Sequence, residues 1–189
     1  MSMQLTFDQE KHLYYLDGRP IPGVTQVIRY FIPAWRCDPW YLERGKAVHA
    51  AIALHIQGTL DESTIDPQIK GRVDALKRCL LDCLMDPFKS EWMMASERYR
   101  FAGTLDCVTY GGFVVDWKGS IDLASKVQLG AYGVLSGKTK GALVECHDDG
   151  TYKMEYVDLK PMGRVFLNML SVYNFLSEHK LKNNHEHTH

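Results

Sequence analysis

Between Gly103 and Ser120 the chain reads GTLDCVTYGGFVVDWKGS, two apolar, β-prone runs joined by a Gly-Gly pair. Three charged residues interrupt the runs: Asp106, Asp116 and Lys118. Charge inside a sheet is costly unless it is paired or serves chemistry. Side chains alternate across a strand, so Asp116 and Lys118, two apart, share a face. Whether Asp106 joins them depends on the turn. A two-residue turn at Gly111-Gly112 sets Cys107 opposite Asp116 and sends Asp106 to the other face. A three-residue loop, Tyr110-Gly111-Gly112, pairs Thr109 with Phe113 and sets Asp106 directly opposite Asp116. Gly112 then supplies the left-handed residue on which such loops commonly end. The second register, with an odd-length turn or a bulge, is the one predicted.

Two carboxylates held that close repel unless one is protonated or a cation bridges them. Hard oxygen ligands with open positions suit Mg²⁺ or Mn²⁺. A lysine beside the cation can stabilise developing negative charge, or help orient and deprotonate water. Together these groups suit metal-assisted hydrolysis of a phosphodiester. The ordinary alternative is a cross-strand salt bridge between Asp106 and Lys118 on a wet face, since D-x-K is a common tripeptide.

Two helical segments bear on that choice. RGKAVHAAI places Gly45 and His49 four apart on one helical face. Glycine inside a helix costs about 1 kcal/mol relative to alanine, so a packing reason is expected. Close approach of the helix to the sheet would let His49 reach over it, and an imidazole added to two carboxylates favours Mn²⁺ somewhat over Mg²⁺. A core or surface histidine is the plainer reading. QLGAY sets Gln128 and Tyr132 on one helical face, two polar tips able to contact a phosphate or its flanking base. An ordinary helix surface is the alternative there.

The elements that would position these groups follow from period and punctuation. LTFDQEKHLYYLDGRPIPGV reads as a small hairpin, and Thr25 to Phe31 as a short helix. Asp38-Pro39 and Asp66-Pro67 open two helices, the first stopping at Gly58. WMMASERYRF, GTLDCVTY and FVVDWKG read as three consecutive strands, ASKVQLGAYGVLSG as a helix, and KGALVECHDDGTYKMEYVDL as a hairpin turning at Asp148-Asp149-Gly150. PMGRVFLNMLSVYNFLSEHKL reads as an amphipathic helix, and the end of the chain, 183–189, as a disordered tail. Three strands, a helix and two more strands predict a mixed central sheet flanked by helices, of the α/β or α+β class. With no repeat or linker in view, residues 1–182 are expected to form one domain.

At 189 residues with 46% apolar and 24% charged residues, the composition is that of a globular protein. A net charge of −1 gives no global electrostatic case for coating nucleic acid, but leaves open an enzyme holding DNA in one groove. No apolar run has the length of a membrane span, and the first residues lack a signal-peptide pattern. The five cysteines are scattered, with no C-x-x-C, which suggests a reducing, cytoplasmic setting. Cys79 and Cys83 share a helical face and are expected to pack in the core.

Taken in order, G-x-x-x-H (Gly45 to His49), G-x-x-D (Gly103 to Asp106), D-x-K (Asp116 to Lys118) and Q-x-x-x-Y (Gln128 to Tyr132) resemble the RecB-type branch of the PD-(D/E)XK nuclease superfamily. The segment HLYYLDGRPIPGVTQVI also looks like the start of small phage-borne members, so the likeness covers about His12 to Tyr132. The resemblance implies a restriction-endonuclease-like core and a Mg²⁺- or Mn²⁺-dependent deoxyribonuclease, an exonuclease in phage or mobile-element DNA recombination or processing. His49, Asp106, Asp116 and the Trp117 backbone carbonyl would be metal ligands and Lys118 the catalytic lysine. Gln128 and Tyr132 would bind substrate, and Glu97 would be a further acidic residue near the metal. DNA is the implied partner, and a recombination or single-strand-binding protein, or self-association, would be compatible with that role. Relatives with an iron–sulfur cluster need four cysteines, three near the C-terminus. Here only Cys37 precedes the core and only Cys146 follows Tyr132, so no cluster is expected. No G-x-x-x-x-G-K-[ST] is present, so ATP is not implied. Gly119 stands where relatives often have threonine. A non-catalytic nucleic-acid-binding protein on the same fold is the alternative.

Overall fold

The apolar period changes from about 2 to about 3.6 and back along the chain, and the elements follow it. The computed structural model describes residues 4–33 and 38–186, with side chains as far as His179 in the last helix. Cys37 and residues 187–189 of the expected tail lie outside the described residues. A small antiparallel meander comes first, β1 (Leu5–Asp8), β2 (Leu13–Leu16) and β3 (Arg19–Ile21), then three helices, α1 (Val24–Phe31), α2 (Pro39–Ile56) and α3 (Pro67–Asp82). Asp38 and Asp66 cap α2 and α3 by accepting the N–H of Trp40 (2.9 Å) and Gln68 (2.8 Å).

The main sheet has the order β4 (Pro87–Ser96), β5 (Phe101–Thr109), β6 (Phe113–Lys118), β7 (Lys140–Cys146), β8 (Tyr152–Asp158). Only β6 and β7 run parallel, because α4 (Leu123–Ser136) carries the chain across between them. The last helix, α5 (Leu159–Glu186), continues past the expected boundary at 182, so 183–186 are helical. The stretch WMMASERYRF is not one strand: β4 starts earlier, at Pro87, and ends at Ser96. Glu97 to Arg100 then turn the chain, with Ser96 O accepting from Arg100 N at 2.8 Å and Arg100 at φ +54°.

Each face of the sheet has its own core. Phe101, Leu105, Val114 and Leu143 pack with Val27 of α1, Leu129 of α4 and Phe166 of α5. On the other face Cys107, Val115, Trp117 and Val144 pack with Val48 and Ile52 of α2 and Val73, Leu76 and Cys79 of α3. Cys83 lies half-buried against that second cluster. The meander joins the end of β5 through Leu16, Ile21 and Ala102.

Helices α4 and α5 cross backbone to backbone. A Cβ on Gly130 would lie 2.4 Å from the Met162 carbonyl carbon and 2.5 Å from Gly163 N. No side chain can move aside to relieve such a contact. Gly130→Ala is expected to destabilise the fold by about 1–3 kcal/mol, read as a fall in thermal midpoint of roughly 2–4 °C per kcal/mol. An unchanged melting curve would mean that the two helices are not in this contact.

Candidate active site

The β5–β6 turn fixes the chemistry. Cys107 pairs with Val115 and Val108 with Val114. Gly112 N donates to Thr109 O (3.0 Å), Phe113 N donates to Thr109 Oγ1 (3.1 Å), and Gly112 sits at φ +80°. The loop is therefore Tyr110-Gly111-Gly112, and the same register carried on sets Asp106 opposite Asp116. The ladder stops there. All six residues of β6 pair instead with Lys140 to Glu145 of β7, while β5 stays paired with β4. In the gap so opened, the Asp106 carboxylate stands in for a backbone acceptor: Trp117 N donates to its Oδ2 at 3.2 Å.

Strand β5 also changes face at this point. Phe101 and Leu105 point to the α4–α5 core, and Gly103 is pressed against the Tyr132 ring. Past Asp106 it is Val108 that faces that core, and Cys107 faces α2 and α3. The alternation slips by one residue at Asp106. Opposite it on β4, between the pairs Ser90–Cys107 and Trp92–Leu105, lies Glu91 at φ +45°. A bulky residue in that region is strained, and such strain concentrates at functional positions.

His49 approaches from α2. Its Nδ1 is 3.4 Å from Asp106 Oδ2 and 4.0 Å from Glu91 Oε1. One donor atom from each of His49, Glu91 and Asp106 lies within 4.8 Å of the others, a set that could hold a metal ion. Asp116 is fully buried, and neither of its oxygens has a hydrogen-bond partner. The Lys118 ammonium is 2.7 Å from Asp116 Oδ2, a close ion pair. The Trp117 indole is buried in the α2–α3 core, and the residue's backbone N–H is taken by Asp106.

On the α4 side, Gln128 Nε2 donates to Tyr132 Oη at 2.7 Å. Tyr132 itself is buried. A Cβ on Gly103 would stand 2.9 Å from its Cε1, so the glycine of G-x-x-D is what admits the ring. Lys118 and Gln128 line a cleft of about 360 Å³ together with Thr25, Arg29, Ser120 and Ser125. His49 and Glu91 line another, of about 510 Å³. A larger cavity of about 590 Å³ between Phe113, Lys140, Tyr156 and Lys160 lies at the other end of β6 and brings no group of metal-ligating side chains together among the described residues.

Two expectations are corrected. Glu97 is not on the strand beside Asp106 but in the exposed hairpin turn, six residues along from Glu91, roughly 20 Å at 3.3 Å per residue. The acidic side chain that the preceding strand brings to the site is Glu91. Its signal was the hairpin itself: once Glu97 to Arg100 form the turn, counting back across it pairs Glu91 with Asp106. Gly45 has no close packing either. A Cβ there would meet nothing within 4 Å, so this glycine leaves open space in front of His49.

The electrostatics follow from burial and crowding. Burial raises the pKa of Asp116, and the charge of Asp106 raises it further, against the pull of Lys118. Burial works the same way on Asp106, but His49 and Lys118 outweigh it and hold that carboxyl below the ordinary range. Burial disfavours the His49 cation, yet Asp106 and Asp116 carry its pKa up to about 9. Lys118 loses charge stability by burial and regains more from the two aspartates, so its pKa is raised. Burial and Asp106 raise Glu91, against His49.

An acid whose folded-state pKa is raised binds its proton more tightly folded than unfolded, so stability falls as pH climbs above the ordinary value, 3.8 for Asp116. Asp116→Asn removes that cost while keeping the shape. The variant also takes from the Lys118 ammonium its nearest counter-charge, so the expected signature is the pH dependence. The melting point of the metal-free variant relative to wild type should rise between pH 3 and pH 8, by roughly 2–4 °C for each kcal/mol relieved. A difference between variant and wild type that stays flat from pH 3 to pH 8 would show that Asp116 is not the strained member of the pair.

No protein-family model matches the chain, and no curated protein does. Among solved structures, the chain is similar to an alkaline exonuclease (LHK-Exo) from Laribacter hongkongensis, at 12% identity over 85% of this chain and 93% of that one, with a TM-score of 0.43. LHK-Exo in complex with dAMP aligns at 11% identity over 86% and 94%, with a TM-score of 0.43. A phage related exonuclease from Haemophilus somnus 129PT aligns at 10% identity over 84% and 96%, with a TM-score of 0.44.

Proposed function

We propose that the protein is a divalent-metal-dependent nuclease that hydrolyses DNA phosphodiester bonds, an exonuclease of the RecB-type PD-(D/E)XK kind serving phage or mobile-element DNA recombination or processing. One observation carries this reading. A fully buried aspartate, with Lys118 at 2.7 Å as its counter-charge, faces a second buried aspartate where two strands part. Such an arrangement is expensive for a structural pair and suitable for a cation.

The donor set fits a hard or borderline divalent ion: His49, Glu91 and Asp106 bring an imidazole and two carboxylates within 4.8 Å of one another, and Asp116, outside that group, faces Asp106 as a third carboxylate. Asp106, Asp116 and His49 would hold it, with Glu91 and the Trp117 carbonyl as further donors. When bound, Mg²⁺ or Mn²⁺ supplies charge neutralisation at the phosphate and a lowered pKa for water. The remaining work belongs to the chain. Lys118 is kept as an ammonium by the two aspartates and faces the cleft, so it stabilises negative charge building on the phosphate oxygens. Arg29, Thr25 and Ser120 offer a cation and hydroxyl donors in the same cleft. Gln128 presents its amide to substrate, and Tyr132 is the positioning residue behind it. A recombination or single-strand-binding protein, or a second copy of the chain, would be the partner that brings DNA to the groove.

The test is cleavage of end-labelled linear and closed circular DNA, single- and double-stranded, by purified protein with Mg²⁺ or Mn²⁺. Wild type is expected to cut linear DNA only with metal. Asp116→Asn is expected to abolish cutting. Lys118→Ala is expected to lower the rate about a hundredfold, with the slope of log affinity against log salt falling by at most about 1. A Lys118→Ala protein that binds weakly but cuts bound DNA at the wild-type rate would make Lys118 a docking residue. Absence of metal-dependent cutting by wild type would leave the non-catalytic binding protein as the better reading.

The two glutamates separate by titrating the rate with Mn²⁺. Glu91→Gln should raise the Mn²⁺ concentration needed for half-maximal rate, whereas Glu97→Gln should leave it unchanged. The reverse order would return Glu97 to the site.

A further inference from the structure

We propose that the first turn of α2 is a stacking platform for unpaired nucleobases, so that the substrate presented to the site is a single strand; the proposal rests on the nuclease reading above and names its substrate class. Trp40, Tyr41 and Leu42 follow one another and are all about half exposed. Consecutive helical residues point about 100° apart, so these three spread over an arc that no single neighbouring element can cover. Nothing in α2 before Val48 is buried. The fold therefore gains little from three large apolar side chains here, and exposed clusters of this kind mark binding surfaces.

The turn is held rigid. Asp38 accepts the N–H of Trp40 at 2.9 Å. The Arg44 guanidinium lies over the Trp40 ring, 5.1 Å from its centroid, donates from Nε to Gln68 O at 3.0 Å, and pairs with Asp148. The Tyr41 ring meets Trp40 edge to face, with centroids 4.8 Å apart. A platform fixed before binding loses little entropy when a ligand arrives.

The platform opens onto the catalytic cluster. Tyr41 and Leu42 line the same cavity of about 510 Å³ as His49 and Glu91, and the empty space at Gly45 lies between them. The chemistry of this cavity suits bases rather than phosphates. Its two cations are already paired, Lys46 with Glu43 at 2.7 Å and His49 with Asp106 at 3.4 Å, and Glu91 would repel an anion. What it offers is aromatic and aliphatic surface, on which any base can stack through its π-face. A duplex offers only the outer face of its terminal pair, whereas the bases of an unpaired strand can each turn a face to the rings, so an unpaired strand is the form that fits better.

The test uses full-length Asp116→Asn protein without metal, so that binding is read apart from cutting. The probe is a short oligodeoxynucleotide carrying terminal 2-aminopurine, whose fluorescence falls on stacking, offered as a single strand and as a blunt duplex. The single strand is expected to bind more tightly and to be quenched. Adding Trp40→Ala or Tyr41→Ala should weaken binding about tenfold or more and remove the quench, while Tyr41→Phe, which keeps the ring, should preserve both. Melting curves establish that each variant is folded. Equal affinity and quench in the alanine variants, binding indifferent to strandedness, or no binding of DNA at all would overturn the platform. In the last case the aromatic turn is left to a protein partner. If wild type fails to cut with metal but the ring-dependent quench persists, the platform stands and the nuclease reading falls. Metal-dependent cutting that is insensitive to both alanine variants would sink the platform and leave the nuclease.

Discussion

Two carboxylates face each other in a gap that water hardly reaches, and much of the surrounding structure compensates for that. Like charges this close cannot both be ionised cheaply in a low dielectric. Asp106 is made tolerable by the Trp117 N–H and by His49. Asp116 is more deeply buried, and Lys118 at 2.7 Å is its counter-charge. The asymmetry explains why the two pKa values are driven apart, one below and one above the ordinary range. It also separates two kinds of buried acid. A structural pair would be expected to satisfy both members, because an unsatisfied buried carboxylate costs more than the pair gains.

The gap exists because of the sheet's mixed topology. Strand β6 has an antiparallel neighbour on one side and a parallel one on the other. Its pairing with β7 is complete, while its ladder with β5 ends after two pairs. The parallel pair requires a crossover, and that crossover is α4, which begins five residues after Lys118 and brings Gln128 and Tyr132 back over the split. Gly103, Gly130 and Gly141 let this helix lie close: an added Cβ would strike Tyr132, the α5 backbone, and Leu129 with Leu159 respectively. The glycines of the chain thus set the height of α4 above the two aspartates.

The sequence made legible what depends on local period and turn chemistry. The three-residue loop and the opposition of Asp106 to Asp116 followed from one left-handed glycine and an alternation of two. The Asp-Pro caps marked α2 and α3 to the residue. Less legible were features that arise between elements. Glu91 sits in a polar run, PFKSE, with no alternation to mark a strand, and its φ of +45° matches no propensity. The turn at Glu97 to Arg100 contains no Gly, Pro or Asn, and aromatic Tyr99 and Phe101 made it read as strand. Misplacing that turn by a few residues is what put Glu97 in the place of Glu91. Gly45 was read as a contact when it is a space, a distinction that sequence alone cannot make because both demand the same missing side chain.

The two sides of the aspartate pair are chemically unlike. Toward α4 the cleft is lined by Lys118, Arg29, hydroxyls and an amide, with one carboxylate, Asp122, and the apolar Ile28, Ile32 and Pro33 beside them. Toward α2 the cavity holds Tyr41 and Leu42, and its cations, Lys46 and His49, each already face a carboxylate. A polymer whose repeat is an anion joined to a flat, weakly polar ring has a natural orientation between such walls: its phosphates turn to one side and its bases to the other. A small phosphorylated metabolite would use only the first wall, and would leave the half-exposed turn of α2 without a purpose. On this reading the same geometric fact, β5 changing face at Asp106, sets the carboxylate between a wall suited to the backbone of a nucleic acid and one suited to its bases.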